Sequence, residues 1–441
     1  MKKHFTLTLI HIVLGFVIAT YRDLSFPFGL VIITTATVHI LYSRNKNNEA
    51  AYWAAYVVGL EILLRMTGGF LVYEAGKYSV VFLLVVGLLV ERTPRPQPLP
   101  ILLYGFLLLP SFAVVDFPDF LHFRKDVSFN LSGPLSLLIS TFYFYKRFQN
   151  IDSFVSILRV MALPLVSVIV YLMLVTPDLS EIEYGTQSNF KASAGFGPNQ
   201  ISIIMGLGIL IAGLALYYGK TVTGFFVSDL LFLVLLIIRG LATFSRGGMI
   251  GGVASLGILF LLSFLFTNKV ISWPKALAYG LGGFMVVLVS WNYVNEISEN
   301  RLQYRYQGIN YRTGQAKEIT SGRLLILEHE LNLFYENPVM GIGPGMVREI
   351  ALRGNFVANT HSEYSRTLAE HGLFGVAALL ILVIFPIRYV LGQNKDLYPI
   401  RFAILFLVFF TMFHSAMRLA MPGFLYGLIF FLPSVSPRPK A

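Results

Sequence analysis

Long apolar runs recur from one end of this chain to the other, and most approach or exceed the roughly 18 residues needed to cross a hydrocarbon core about 30 Å thick. They lie at 5–21, 26–42, 51–72, 77–91, 100–117, 130–148, 156–176, 200–218, 223–242, 247–266, 273–292, 372–391, 401–418 and 420–434, about fourteen candidate spans by hydropathy. The last is short and preceded by Pro422, so a re-entrant segment is an alternative. The composition agrees: 56% of residues are hydrophobic and 13% charged, against about 25% charged in a soluble domain. The expected fold is all-α, a polytopic integral membrane protein of about 12–14 transmembrane helices forming a single membrane domain over residues 1–441.

The net charge of +11 does not indicate nucleic acid here, because the basic residues sit in short loops between apolar runs. With a cytoplasmic N-terminus, the inside loops carry Arg44 and Lys46, Arg92 and Arg95, Lys146 and Arg147, Lys269 and Lys275, and Arg388 and Lys395, and the tail carries Arg438 and Lys440. That bias places both termini in the cytoplasm. Met1 to Thr20 is followed by Tyr21-Arg22-Asp23 rather than a small-residue cleavage site, so it is expected to be a retained span. With no cysteine, disulfides, thiolate metal sites and cysteine nucleophiles are excluded.

Two outer segments are polar, 177–200 and the long loop at 292–371. Loops much longer than about 4–6 residues are often functional. Within the long loop Leu324, Leu327, Leu331 and Phe334 recur at helical spacing, with Glu328, Glu330 and Asn332 opposite, which predicts a short amphipathic helix on the membrane surface. Asn337-Pro338 ends it, and Gly341 to Gly345 reads as a tight turn. Thr360-His361-Ser362-Glu363 reads as a capping box opening a further short helix. Gly372 either ends that helix or softens its passage into the next span.

This topology gathers Lys191, Arg246, Arg323 and His361 at the outer face, with Arg418 in another outer turn. Arg239 lies two turns before Arg246 on what reads as one helix face, and the pair suits an anionic ligand or lipid phosphates equally. The glycines of Ser245-Arg246-Gly247-Gly248 suit close helix packing, with Gly251 and Gly252 completing the spacing. At a helix N-terminus near arginines, His361 is expected to be neutral and able to accept a proton. Glu363 has three readings: cap, orienter of the histidine, or acceptor contact. Segment 189–200, with Lys191 and Asn199, reads either as a flexible loop or as part of the site. Glu61 and Arg65 are expected to form an internal i,i+4 ion pair. No Asp-x-Asp, His-Glu-x-x-His, phosphate loop or dinucleotide fingerprint is present, so neither metal nor cofactor is indicated.

Taken in order, Gly195-Phe196-Gly197-Pro198-Asn199, Ser245-Arg246-Gly247-Gly248, Ser321-Gly322-Arg323, Asn337-Pro338-Val339-Met340-Gly341-Ile342-Gly343, Thr360-His361-Ser362-Glu363 and Glu370-His371-Gly372-Leu373-Phe374-Gly375 resemble the O-antigen ligase and O-antigen polymerase family of bacterial membrane glycosyltransferases. The resemblance runs from about 189 to 375. It implies transfer of a glycan from an undecaprenyl diphosphate carrier to an acceptor hydroxyl at the outer face of the cytoplasmic membrane, in lipopolysaccharide or polysaccharide biosynthesis, without metal or cofactor. Arg246 and Arg323 would hold the diphosphate and His361 would activate the acceptor. Lys191, Asn199, Arg239 and Glu363 are candidate substrate contacts. Lys191 stands where many members have arginine, and Ser362 where asparagine is common. The implied partners are the lipid-linked donor, an acceptor that is either lipid A core or a growing polysaccharide, membrane lipids and a chain-length regulator. Other readings are a transporter or flippase of lipid-linked saccharides, which predicts charges deep in the spans and related halves, and a cell-wall polymerase.

Overall fold

The computed structural model describes residues 2–91, 96–116, 119–185, 187–266, 273–316, 322–354 and 360–434. Arg92, Arg95, Lys269, Ser321, Arg438 and Lys440, which entered the charge and motif readings, lie outside them. The described residues form seventeen α-helices. The first seven are α1 (Lys2–Thr20), α2 (Ser25–Ser43), α3 (Glu49–Thr67), α4 (Ala75–Val90), α5 (Leu99–Leu107), α6 (Phe120–Phe144) and α7 (Ile151–Val175). Then come α8 (Pro198–Tyr217), α9 (Phe226–Ala242), α10 (Arg246–Phe266) and α11 (Trp273–Ile297). The segment between membrane helices carries α12 (Arg301–Gln307), α13 (Arg323–Glu336) and α14 (Met346–Arg353), followed by α15 (Glu363–Leu391), α16 (Tyr398–Ser415) and α17 (Met421–Leu428). Two three-residue strands, Phe148–Asn150 and Leu432–Ser434, pair in parallel.

The chain is thus an all-α polytopic membrane protein. Among the described residues eight helices have both the length and the apolarity to cross a bilayer: α1, α2, α6, α7, α8, α10, α15 and α16. Most of the other apolar runs are also helical; α4, α5, α9 and α17 are shorter, and α3 carries Glu61 and Arg65. The run at 100–117 breaks after α5, where Pro110 opens a 3-10 turn; proline cannot donate the next backbone bond. Large apolar side chains such as Val13, Val31, Val38, Phe264 and Leu265 are exposed on the outer surfaces of these helices, as lipid-facing positions require.

Hydrogen bonds sort the loops to two ends of the bundle. At one end Arg147 reaches Glu91 and Asn48, and Lys220 pairs with Asp152. At the other, Arg22 bonds the carbonyl of Met66, Arg65 that of Arg418 and Arg353 that of Asp116. The candidate residues belong to this second end. Glycine packing joins the central helices: a Cβ on Gly206 of α8 would stand 2.1 Å from the Gly248 carbonyl, and one on Gly252 2.5 Å from the Gly206 carbonyl. Small residues let the two backbones meet, as in other membrane helix pairs.

Candidate active site

The turn between α9 and α10 sets the first arginine. Phe244 takes a left-handed φ of 55°, a conformation that costs a non-glycine residue roughly 1–2 kcal/mol and here ends α9. Its ring stacks on Tyr184 at 4.6 Å. Ser245 Oγ donates to Asn199 Oδ1 at 2.7 Å, and Ser202 Oγ donates to the Ser245 carbonyl at 2.7 Å. This break corrects the expectation that Arg239 and Arg246 share a helix face. Arg239 is buried in α9 and donates to Thr176 Oγ1 at 2.9 Å, whereas Arg246 starts α10 and donates to the Arg305 carbonyl at 3.0 Å. Arg305 in turn donates through Nε to the Phe244 carbonyl at 3.2 Å, so α12 and the α9–α10 turn are locked together. Asn199, through Ser245, braces the residue before Arg246.

Arg323 is the first residue of α13, after Gly322 at φ 80°. The face that α13 turns inward differs from the amphipathic expectation. Glu330 and Leu333 are buried, while Leu324, Leu325 and Tyr335 are exposed. A carboxylate faces inward because Ser365 Oγ donates to it, a short bond, and Thr360 contributes another. Burial raises the Glu330 pKa. Arg323 forms no salt bridge or hydrogen bond with another described residue. Burial and the charges of Arg418 and Arg246 lower its pKa to about 10, and burial with Arg246 and Arg323 does the same to Arg305; both remain cations at neutral pH.

His361 lies in the extended stretch before α15. The cap is Ser362, whose Oγ accepts from Tyr364 N at 3.3 Å. The capping box is therefore not formed: Glu363 is the first helical residue, buried, and ion-paired to Arg366, with its other oxygen accepting from Met417 N at 3.2 Å. The Thr360 carbonyl is taken by Arg418 Nη2 at 2.6 Å. His361 Nδ1 has no hydrogen-bond partner among the described residues. Burial, then Arg418 and Arg323, push its pKa down to about 3, so the imidazole is neutral.

The turn at 416–420 brings Arg418 here, and a buried charge network holds that turn. Glu61 and Arg65 form the expected ion pair at 2.8 Å with side chains at most 1% exposed. Arg65 donates to the Arg418 carbonyl at 2.8 Å, Ala420 N to Glu61 Oε2 at 2.7 Å, and Lys77 Nζ to the Met417 carbonyl at 3.2 Å. A second brace holds α15. Gly372 has φ 57° and ψ −138°, so α15 is two helices meeting at a break. Leu373 N donates to the Pro338 carbonyl, Ile342 N to that of Ala369 and Gly343 N to that of Glu370. A Cβ on Gly372 would stand 2.6 Å from the Pro338 carbonyl.

The structure thus brings together Arg246, Arg323 and His361, and adds Arg305, Arg418 and His414. His414 closes α16 beneath them: its ring covers Gly247, where a Cβ would fall 1.8 Å from Cδ2, and it feels the charges of Arg323, Arg418 and Arg246 and the His361 ring. Sequence reasoning missed Arg305, buried in a run of tyrosines and arginines, and His414, hidden in an apolar run. An ionisable residue inside a membrane span is itself a functional signal, and it would have found His414. Lys191 is not in the cluster; it lines a separate cavity with Asn310 and Arg312. Among the described residues no three His, Asp or Glu side chains gather as a metal site.

Residues 231–380 match a protein-family model described as O-antigen ligase. That stretch contains Arg239, Arg246, Arg305, Arg323, His361 and Glu363, but not Lys191, Asn199, His414 or Arg418. No curated protein matches the chain.

Proposed function

Starting from a membrane chain that matches the O-antigen ligase family over residues 231–380, and so from glycan transfer in polysaccharide biosynthesis, we propose that it transfers a glycan from an undecaprenyl-diphosphate carrier to an acceptor hydroxyl at the outer face of the bacterial inner membrane. The observation that carries this reading is a cluster of four arginines, Arg246, Arg305, Arg323 and Arg418, two of which act on a neutral His361, with Arg323 making no ion pair with any other described residue. Like charges crowded at a membrane face destabilise one another unless an anion joins them. A diphosphate headgroup is such an anion, and its polyprenyl tail stays in lipid.

In the proposed reaction the bond from the anomeric carbon to the phosphate oxygen breaks, and its electron pair leaves with the diphosphate. Arg246 and Arg323, aided by Arg305 and Arg418, stabilise that developing charge. The acceptor oxygen bonds to the anomeric carbon from the opposite side, and its proton passes to the His361 imidazole. One displacement inverts the anomeric centre. Neither metal nor nucleotide enters. His361 has its low pKa with the site empty; a bound diphosphate offsets the arginine charges and makes the imidazole a stronger base.

The α9–α10 turn, α13, the 360–362 stretch and the 416–420 turn supply the site, with 292–371 as the outer loop and both termini cytoplasmic. Charges clustered at one end favour an enzyme over a transporter, whose working charges lie near the midplane. The test is reconstitution in vesicles with a lipid-diphosphate-linked repeat unit, with and without lipid A core, in the presence of a chelator and without ATP. Transfer under these conditions supports the reading; a ladder without core identifies a polymerase, and a shift of core alone a ligase. Strict dependence on an added metal or nucleotide, or product NMR showing a retained anomeric centre, contradicts the mechanism.

A further inference from the structure

A second polar cavity adjoins the arginine cluster. It is an open cavity of about 480 Å³ between residues 183–185, 187–191 and 310–312, within the ~300–1,000 Å³ typical of small-molecule sites. Two bonds tie its walls to the catalytic turn. Asn189 N donates to the Thr243 carbonyl at 2.8 Å, three residues before Arg246. Arg301 Nη1 donates to the Tyr184 carbonyl at 2.6 Å, beneath the ring that stacks on Phe244.

The lining carries unspent polar groups. The side chains of Glu183, Gln187, Ser188 and Lys191 make no hydrogen bond or ion pair with any described residue. Lys191 is exposed. Arg312 is oriented by its Nε bond to Tyr311 Oη at 2.8 Å, and Tyr311 is itself flanked by the Arg301 guanidinium, 4.7 Å from the ring centroid. Lys191 does not belong to the diphosphate cluster, because its charge is not among those acting on Arg305, Arg323 or His361.

Resting on the glycosyl-transfer reading, we propose that this cavity is a subsite for an acidic saccharide, the part of a glycan that extends away from the reacting bond. Lys191 and Arg312 receive its carboxylate, and Gln187, Ser188 and Glu183 receive ring hydroxyls. The chemistry separates this ligand from a bare inorganic phosphate. As a carboxylate Glu183 only accepts hydrogen bonds; the ring hydroxyls of a sugar can donate to it, whereas a bare ionised phosphate has no donor to offer. Lysine acts on the carboxylate as a point charge, with arginine as a planar fork. The acidic sugar belongs either to the donor glycan or to the acceptor chain.

The full-length protein in nanodiscs is titrated by calorimetry with a uronic-acid-containing oligosaccharide and with its carboxyl-reduced, neutral counterpart. The acidic form binds about tenfold tighter, which is about 1.4 kcal/mol. Lys191→Gln and Arg312→Gln, with unchanged melting temperatures, each abolish most of that preference. Equal binding of the two sugars by wild type, or an intact preference in both variants, overturns the subsite. In transfer kinetics both variants raise one KM about tenfold while kcat is kept: the donor KM if the acid sugar is on the lipid-linked glycan, the acceptor KM if it is on the receiving chain. Unchanged values of both overturn the subsite. Calorimetry separates the two levels of inference. A wild type that binds the acidic sugar but transfers nothing defeats the proposed function alone, and one that transfers without acid preference defeats the subsite alone.

Discussion

Replacing Glu61, a buried carboxylate of the third helix, should silence a site built by residues 246–418. Glu61 is fully buried and holds two partners, Arg65 Nη2 at 2.8 Å and Ala420 N at 2.7 Å. Glu61→Leu leaves Arg65 buried, with Glu74 at 3.7 Å as the remaining carboxylate within ion-pair distance among the described residues. Removing one partner of a buried pair costs about 3–5 kcal/mol, while replacing both with apolar side chains is often neutral. The single variant should therefore lose most of that amount in denaturant unfolding in detergent, and Glu61→Leu/Arg65→Met should regain most of it. Activity should behave differently. The double variant still lacks the Arg65 bond to the Arg418 carbonyl and the Glu61 bond to Ala420 N, so the turn bearing Arg418 loses two of its anchors and transfer stays at least about tenfold down, since small misplacements of charged groups are costly. The double-mutant cycle is the measurement. A single variant within about 1 kcal/mol of wild type, or a stable double variant with full activity, refutes the argument that this ion network positions the site.

Three further outcomes follow from the geometry. Gly247→Ala pushes a methyl into the His414 ring, whose Cδ2 and Nε2 would lie 1.8 and 1.9 Å away; it should cut transfer by at least about tenfold and lower stability by roughly 1–3 kcal/mol, and activity equal to wild type would dismiss the His414 contact. Gly372→Ala meets both a φ of 57° and the Pro338 carbonyl at 2.6 Å, and should destabilise by more than the ~1 kcal/mol of an ordinary glycine change, read by thermal unfolding. The pH profiles follow His361. Its basic form exists above a free-site pKa of about 3, so kcat/KM, which reports free enzyme, should stay level as pH falls from about 8 to about 5. Bound diphosphate raises that pKa, so the acid limb of kcat should sit at higher pH than that of kcat/KM. An acid limb of kcat/KM centred near the ordinary histidine value of about 6.5 would contradict the burial argument.

Much of this was legible in the sequence, and what was not has identifiable causes. Hydropathy located the helices because lipid demands long apolar runs. The Glu61–Arg65 pair was legible because an i,i+4 spacing within a span leaves two opposite charges little alternative. Arg246, Arg323 and His361 stood out by motif and by outer placement. Arg305 did not, since its role depends on a backbone bond to Phe244, a residue remote in sequence. The inward face of α13 was misread because periodicity assigns carboxylates to water, whereas Ser365, from a different helix, satisfies Glu330. The Arg239–Arg246 relation was misread because no glycine or proline announces the left-handed Phe244. The cap before α15 lies at Ser362 because the Thr360 side chain bonds Glu330 of α13, a tertiary contact with no local signature. Topology groups Lys191 with the other outer-face cations, but the 189–200 segment folds so that it lines the neighbouring cavity.

The central claim is that arginines hold a leaving diphosphate while His361 takes the acceptor proton. Its most direct test is single-turnover transfer from a lipid-diphosphate-linked repeat unit by purified wild type, His361→Ala and Arg246→Ala, matched for folded yield. Loss of a general base predicts a rate reduction of about 10²–10⁴-fold for His361→Ala, and loss of one preorganised cation about 10²–10³-fold for Arg246→Ala, with the lipid donor still bound by the histidine variant. Transfer at the wild-type rate by both variants would contradict the account.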